Sequence, residues 1–172
     1  MPKFDESVIN FAVYEDSIEY VGMASASLPD LTSLTQTISG AGIAGNVEAV
    51  ILGHFDAMTL GLNFRTTTTQ AIRLSEPRRH VIDLRVAQQT EDTVAGAVAV
   101  QSVKHILVVI PKNNVGGSIA PAAPTNGSGE YAVRYWATYI DGVKVREIDP
   151  LNYICYVNGV DYLADVKRVL GK

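Results

Sequence analysis

Alternation with a period of two is the strongest constraint in this chain. Between residues 56 and 65, Met58, Leu60, Leu62 and Phe64 take every second position, with Ala57, Thr59, Gly61, Asn63 and Arg65 between them. Successive side chains of a strand point to opposite faces, so the stretch predicts a strand with one buried face and one small or polar face. Residues 79–91 repeat the pattern, with Ile82, Leu84 and Val86 on one side and Asp83, Arg85, Gln89 and Glu91 on the other. A weaker version covers 31–39, where Leu34 and Ile38 oppose Ser33, Thr35, Thr37 and Ser39. Residues 98–110 do not alternate cleanly.

Turn chemistry joins these strands. Asp141-Gly142 separates 131–140 from 143–157, and Asp-Gly between two strand-like runs marks a tight hairpin. Residues 92–96 turn the chain between 79–91 and 98–110, and Glu15-Asp16-Ser17 marks an earlier hairpin. The total is about eight strands. TTTTQAIRLS at 66–75 predicts a short connecting helix, despite its threonines. The C-terminal DYLADVKRVLGK predicts a second helix with Leu163, Val166, Val169 and Leu170 on one face, Asp161 as N-cap and Gly171 as terminator. Residues 112–129 (KNNVGGSIAPAAPTNGSG) read as a loop of roughly 18 residues, a length that is usually functional or mobile. The expected fold is mainly β (α+β): one domain over 1–172, an antiparallel β-sandwich or barrel with two short helices.

Composition removes several function classes. Fourteen basic against eighteen acidic residues give a net charge of −4, which argues against a groove built to grip nucleic acid phosphates. A single cysteine, Cys155, excludes an internal disulfide and fits a reducing compartment. The first ten residues lack the apolar core of a signal peptide, and the run ILVVI at 106–110 is too short to span a bilayer. The expectation is a soluble protein assembled in a cytoplasm.

The chemical motifs are sparse. Gly40, Gly42 and Gly45 spell G-x-G-x-x-G, but the preceding TSLTQTIS is half polar and no helix follows. A dinucleotide turn needs a buried strand before the glycines and a helix after them, so these read as a glycine-permitted loop between antiparallel strands. His54, His80 and His105 have no neighbours at metal-ligand spacing and read as polar or hydrogen-bonded residues. Cys155 reads as a buried structural thiol. No nucleophile motif, metal site or cofactor site emerges, and the chain reads as no enzyme.

The arms of the 79–91/98–110 hairpin would be about twice the usual strand length, leaving long edges that soluble monomers normally cover. Closing such edges against other copies points to assembly. Three stretches then carry a resemblance: LPDLTSLTQTISGAGIAGNVEAVILGHFDAMTLGLNF (28–64), YIDGVKVREIDPLNY (139–153) and VNGVDYLADVKRVLG (157–171). In order and spacing they resemble the major tail tube protein of contractile phage tails and the related R-type bacteriocins. Residues 1–13 and 112–129 carry no such signature.

The resemblance implies a structural protein whose six copies form a ring. Stacked rings then make the rigid hollow inner tube of a contractile tail, through which DNA or an effector passes. It implies that long hairpins of each subunit complete a lumen barrel between subunits. The implied partners are the chain itself, a sheath protein, a baseplate hub or initiator, a tape measure and a tail terminator, with DNA only in transit. The implied location is a virion tail or bacteriocin particle. On that basis an extended loop at 40–55, with Gly40, Gly42, Gly45, Asn46 and Glu48, is expected to reach the adjacent ring. Ser33, Thr35, Thr37, Thr59, Asn63, Asp83, Arg85, Gln89 and Glu91 are expected to line the channel, while Asp165, Lys167 and Arg168 are candidates for sheath contact. Three other readings stay open: the tube of a related secretion or injection machine, a ligand-binding β-barrel that never polymerises, and a dinucleotide-binding enzyme.

Overall fold

The computed structural model describes residues 3–172, and in it the alternation organises the core. In chain order the elements are β1 (Lys3–Glu15), β2 (Ile18–Glu19), β3 (Met23–Ser27), β4 (Ser33–Ile38), β5 (Val47–Phe55) and β6 (Met58–Phe64). Then come α1 (Thr69–Arg73), β7 (His80–Asp92), β8 (Ala97–Val115), β9 (Gly127–Ile140), β10 (Val143–Asp149), β11 (Ile154–Val157), β12 (Val160–Asp161) and α2 (Ala164–Val169). A ten-stranded antiparallel sheet runs β12-β11-β10-β9-β8-β7-β1-β2. β9 pairs with β8 along its length, while its other edge is shared: β6 takes Gly127 to Val133 and β10 takes Trp136 to Ile140. β3 pairs on the far side of β6, and β4 and β5 make a separate two-stranded sheet.

The mainly β expectation holds, but no barrel closes within one chain among the described residues. The reason is topological. Because β6 and β10 divide one edge of β9, the sheet forks instead of meeting itself. The core on one side of the sheet is built from Leu60, Leu62, Ile82, Leu84, Leu107, Val109, Trp136 and Ile148, all buried. Each such aliphatic side chain contributes about 1.5–3 kcal/mol by leaving water. No helix of the described residues is long and apolar enough to cross a membrane.

Several expectations shift. The described residues form twelve strands, two of them only two residues long. β8 does alternate from Val103 onwards, with Val103, His105, Leu107 and Val109 buried. Its other face (Ile106, Val108, Ile110) is also apolar and a histidine interrupts the buried row, so the period is invisible in the sequence. The expected 112–129 loop shortens to 116–126, because β8 continues to Val115 and β9 starts at Gly127. The loop is tied down at its base, with Ser118 N–H donating to Thr125 O and Thr125 N–H to Arg65 O, each at 2.9 Å.

The helices fall where expected but end differently. Thr68 caps α1 by accepting from Ala71 N–H at 3.1 Å. Asp161 does not cap α2: its Oδ1 accepts from the N–H groups of Leu163 and Cys155, stitching β11 to the helix entry. Of the expected apolar face, Leu163 is buried and Val166 half-buried, whereas Val169 and Leu170 are exposed. Gly171 (φ 70°) does terminate the helix. Its N–H reaches Arg168 O and that of Lys172 reaches Lys167 O, each at 3.1 Å, which is the Schellman pattern.

Candidate assembly surfaces

The β4–β5 hairpin stands apart from the main sheet. Its root is fixed: Leu31 and Phe55 pack on the core, and Asp56 N–H donates to Thr32 O at 2.7 Å. Beyond the root, Thr35 faces Val50, Thr37 faces Glu48 and Ile38 faces Val47. Gly40, Gly42 and Gly45 lie in the tip at 39–46, all with positive φ. They join two antiparallel strands, and the segment after them is strand β5 rather than a helix. The geometry is therefore that of a hairpin and not of a dinucleotide turn, and the expected 40–55 loop is a loop only up to Asn46. Val47, Val50 and Leu52 are 52%, 65% and 55% exposed. Glu48 is the one formally charged residue in 33–55, and it has no ion pair among the described residues.

Strand register places many of the other expected residues together. Paired antiparallel residues share a face. Thr59 lies opposite Ala132, which lies opposite Ile110; Asp83 lies opposite Ile106 and Arg85 opposite Lys104. Thr59, Asn63, Asp83, Arg85, Gln89 and Glu91 consequently occupy one face of the sheet, away from the core. Ser33, Thr35 and Thr37 do not join them, since β4 belongs to the hairpin. Most of the group is locally satisfied. Lys112 Nζ donates to Thr59 Oγ1 at 2.8 Å and Asn63 Nδ2 to Ser25 Oγ at 2.6 Å. Arg85 Nε and Nη2 both donate to Asp83 Oδ2, at 3.1 and 2.9 Å, and the guanidinium lies 4.4 Å from the centre of the Tyr14 ring. Gln89 donates to Glu6. What the sequence did not reveal is that β8 threads Val98, Val100, Ile106, Val108 and Ile110 through the same face.

A second projection is the arm made by the first half of β1 and the far ends of β7 and β8. Phe4, Val8, Ile9, Val98 and Val100 are exposed on it. β2 covers only Tyr14 and Glu15, so the outer edge of β1 from Lys3 to Val13 has no strand beside it among the described residues. Its register shifts at Glu6 and Ile9 interrupt that edge.

At the opposite end of the sheet from the 93–96 turn, Arg79, Val108, Arg134, Tyr135, Asp149, Leu151 and Asn152 enclose a cleft of ≈ 410 Å³. The sequence reading missed Arg79 and Arg134. The signal that could have found Arg134 is the break in the buried row between Val133 and Trp136. Of the expected sheath-contact residues, Asp165 and Arg168 are exposed and pair with each other at 2.9 Å within α2, while Lys167 is half-buried.

Residues 5–171 match the family described as phage tail tube protein FII. The chain belongs to that family. It is therefore a structural component of a phage-type tail tube. Two solved structures share the fold of this family member. One is of an extracellular contractile injection system, PVC, its sheath/tube terminator in the extended state: 11% identity, TM-score 0.51, covering 76% of this chain and 94% of that one. The other is of the PVC sheath-tube complex in the extended state: 11% identity, TM-score 0.52, covering 75% and 87%. No curated protein matches.

Proposed function

We propose that copies of this tail tube protein close into six-membered rings that stack into a hollow, rigid tube inside a contractile sheath. In this reading its role is structural rather than catalytic. The observation that carries the proposal is the β4–β5 hairpin. A lone two-stranded hairpin is marginally stable in water, yet this one exposes Val47, Val50, Ile51 and Leu52 beyond a firmly held root. Covering it with another copy removes both problems. The hairpin tip, with Gly40, Gly42, Gly45, Asn46 and Glu48, bridges one ring to the next. The open edge of β1 and the β7–β8 arm meet the neighbour within the ring, so that sheets of adjacent copies complete a barrel around the channel.

The face bearing Thr59, Asn63, Asp83, Arg85, Gln89 and Glu91 lines that channel, whereas Ser33, Thr35 and Thr37 sit on the hairpin and belong to the contact between copies. It mixes acidic and basic side chains, with Arg85 and Lys104 both drawn to Asp83, and so offers DNA or a protein cargo no clustered cations to adhere to. Asp165, Lys167 and Arg168 of α2 face the sheath. The remaining partners are a baseplate hub or initiator that templates the first ring, a tape measure and a terminator, with assembly in the bacterial cytoplasm.

The test is electron microscopy of purified protein at high concentration, with and without pre-formed tube seeds. Hollow six-fold tubes are expected. Monomers that persist even with seeds would overturn the proposal.

A further inference from the structure

Two features of the chain are unmatched within it, and they complement each other. The first is Glu48, the sole formal charge on the hairpin. It shares a strand face with Val50 and lies opposite Thr37, so this face presents one carboxylate beside an exposed aliphatic.

The second is the cleft of Arg79 and Arg134. Arg73, Arg78, Arg85 and Arg168 are each paired with a carboxylate, and Arg146 lies 3.9 Å from the centre of the Trp136 ring. Arg65, Arg79 and Arg134 have no ion pair among the described residues, and the last two lie together in this cleft. The backbone fixes where each one starts. Arg134 is the inserted residue of a β-bulge, because Val108 faces Tyr135 while Val109 faces Val133. Bulges of this kind re-aim a side chain. Arg79 is bracketed by Arg78, anchored on Glu15 and Glu76 at 3.1 and 2.7 Å, and by the buried His80.

Asp149 does not neutralise the pair fully. Its Oδ1 accepts from the N–H groups of Leu151 and Asn152, each at 3.2 Å, and its Oδ2 accepts from Asn152 Nδ2 at 2.7 Å. Two guanidiniums against one carboxylate, itself occupied by three donors, leave the cleft positive. Leu151, 70% exposed, forms an apolar rim.

We propose that the cleft receives the hairpin of a second copy, with Glu48 placed between the Arg79 and Arg134 guanidiniums and Val50 packed on Leu151. Guanidinium forks match carboxylate geometry, and such pairs are among the stronger hydrogen bonds at an interface. The position fits a ring rim: the cleft lies where β7 begins, at the far end of the sheet from the β7–β8 turn. One surface giving the hairpin and a different one receiving it make a head-to-tail contact, which propagates a polymer. The inference rests on the hairpin bridging copies, as proposed above.

The experiment compares the concentration needed for tube formation, read by pelleting and electron microscopy, across folded variants. Glu48→Arg alone, and Arg79→Glu with Arg134→Glu, are each expected to raise it about tenfold or more, on the order of 1.4 kcal/mol. Combining all three substitutions should restore it to within about threefold of the parent chain, because the charges are exchanged rather than lost. A combined variant no better than either parent, or a glutamate cleft that polymerises normally, would overturn the proposal. If the glutamate cleft does not fold, Arg79→Gln with Arg134→Gln should still raise the concentration, and normal assembly of that folded variant would overturn the proposal. Deletion of 42–46 separates the two ideas. Loss of tubes on deletion, together with normal assembly of the cleft variants, overturns the cleft and leaves the hairpin; normal tubes after deletion overturn the hairpin itself.

Discussion

Glu15 and His80 meet inside the protein with Oε1 and Nδ1 2.7 Å apart, at 2% and 0% exposure. The imidazole Nε2 lies 3.0 Å from the Glu76 carbonyl, so an oxygen sits beside each ring nitrogen. Arg78 Nη1 reaches the same carboxylate oxygen at 3.1 Å, and the Tyr20 hydroxyl donates to the other. One buried carboxylate thereby joins the end of β1, the start of β7 and the turn that follows β2. Removing it leaves an uncompensated imidazole and phenol in the core. Glu15→Ala should lower stability by about 3–5 kcal/mol in urea denaturation of the monomer.

The same node sets an acid limit. Burial alone would raise the Glu15 carboxyl, but hydrogen bonds from Tyr20 and His80 and the charges of His80 and Arg78 outweigh it and hold the pKa below its ordinary 4.5. A depressed carboxylate contributes stability that is present above its unfolded pKa and is lost as pH falls through the folded one. The expected result is a stability loss below about pH 4.5 that is absent in Glu15→Gln, checked by urea midpoints from pH 5 to pH 2.

A second histidine acts earlier in the acid range. His105 Nδ1 accepts the Trp136 indole N–H at 3.2 Å and lies 3.0 Å from Thr138 Oγ1. Burial, with the charge of Arg146, pushes its pKa down to about 4 from 6.5. The unfolded chain therefore takes up a proton that the folded one refuses. Stability should fall as pH drops from 6.5 towards 4, by about 3 kcal/mol at most, and level off below. His105→Gln keeps an acceptor for Trp136 and should flatten this slope between pH 6.5 and 4.5. An unchanged slope would assign it to other groups.

Gly53 couples the hairpin to the core. Its φ is 64°, and a Cβ there would lie 2.5 Å from Leu163 Cδ2 and 2.6 Å from Leu163 Cγ. Leu163 is buried at the entry to α2 and cannot withdraw freely. Gly53→Ala combines left-handed backbone strain with this clash and should cost about 1–3 kcal/mol. If the clash frees the hairpin root, amide exchange in 47–55 should accelerate more than exchange in β8. Uniform acceleration would mean only general destabilisation.

What was legible in the sequence is what a two-residue period can carry. β6 shows it fully because its outer face is Thr59, Gly61 and Asn63, so Met58, Leu60, Leu62 and Phe64 stand out. β8 hides it because Ile106 and Val108 are as apolar as Leu107 and Val109. The Asp141-Gly142 and Asp16-Ser17 turns were readable because two successive positive φ values demand such residues. The Glu15–His80 node joins positions 65 residues apart, so no local pattern announces it. Arg134 was missed for a related reason, since its direction is set by a one-residue slip against β8 that only the paired strand defines. The sharing of one face by Thr59 and Asp83 likewise depends on β9 and β8 lying between them.

That shared face gives a last prediction. Asp83 Oδ2 holds Arg85 at 2.9 Å and Lys104 at 3.6 Å, so a single carboxylate offsets two cations. Asp83→Lys reverses the balance and places three cations on neighbouring strands; Thr59→Lys adds another beside Lys112. In the proposed tube every ring would repeat the change, forming a basic band. DNA binds such bands through counterion release with strong salt dependence. In a DNA-carrying particle, the double variant should slow ejection at low salt and recover towards the parent rate as salt is raised. Ejection unchanged at every salt concentration, from particles with normal tails, would mean that Asp83 and Thr59 face away from the channel.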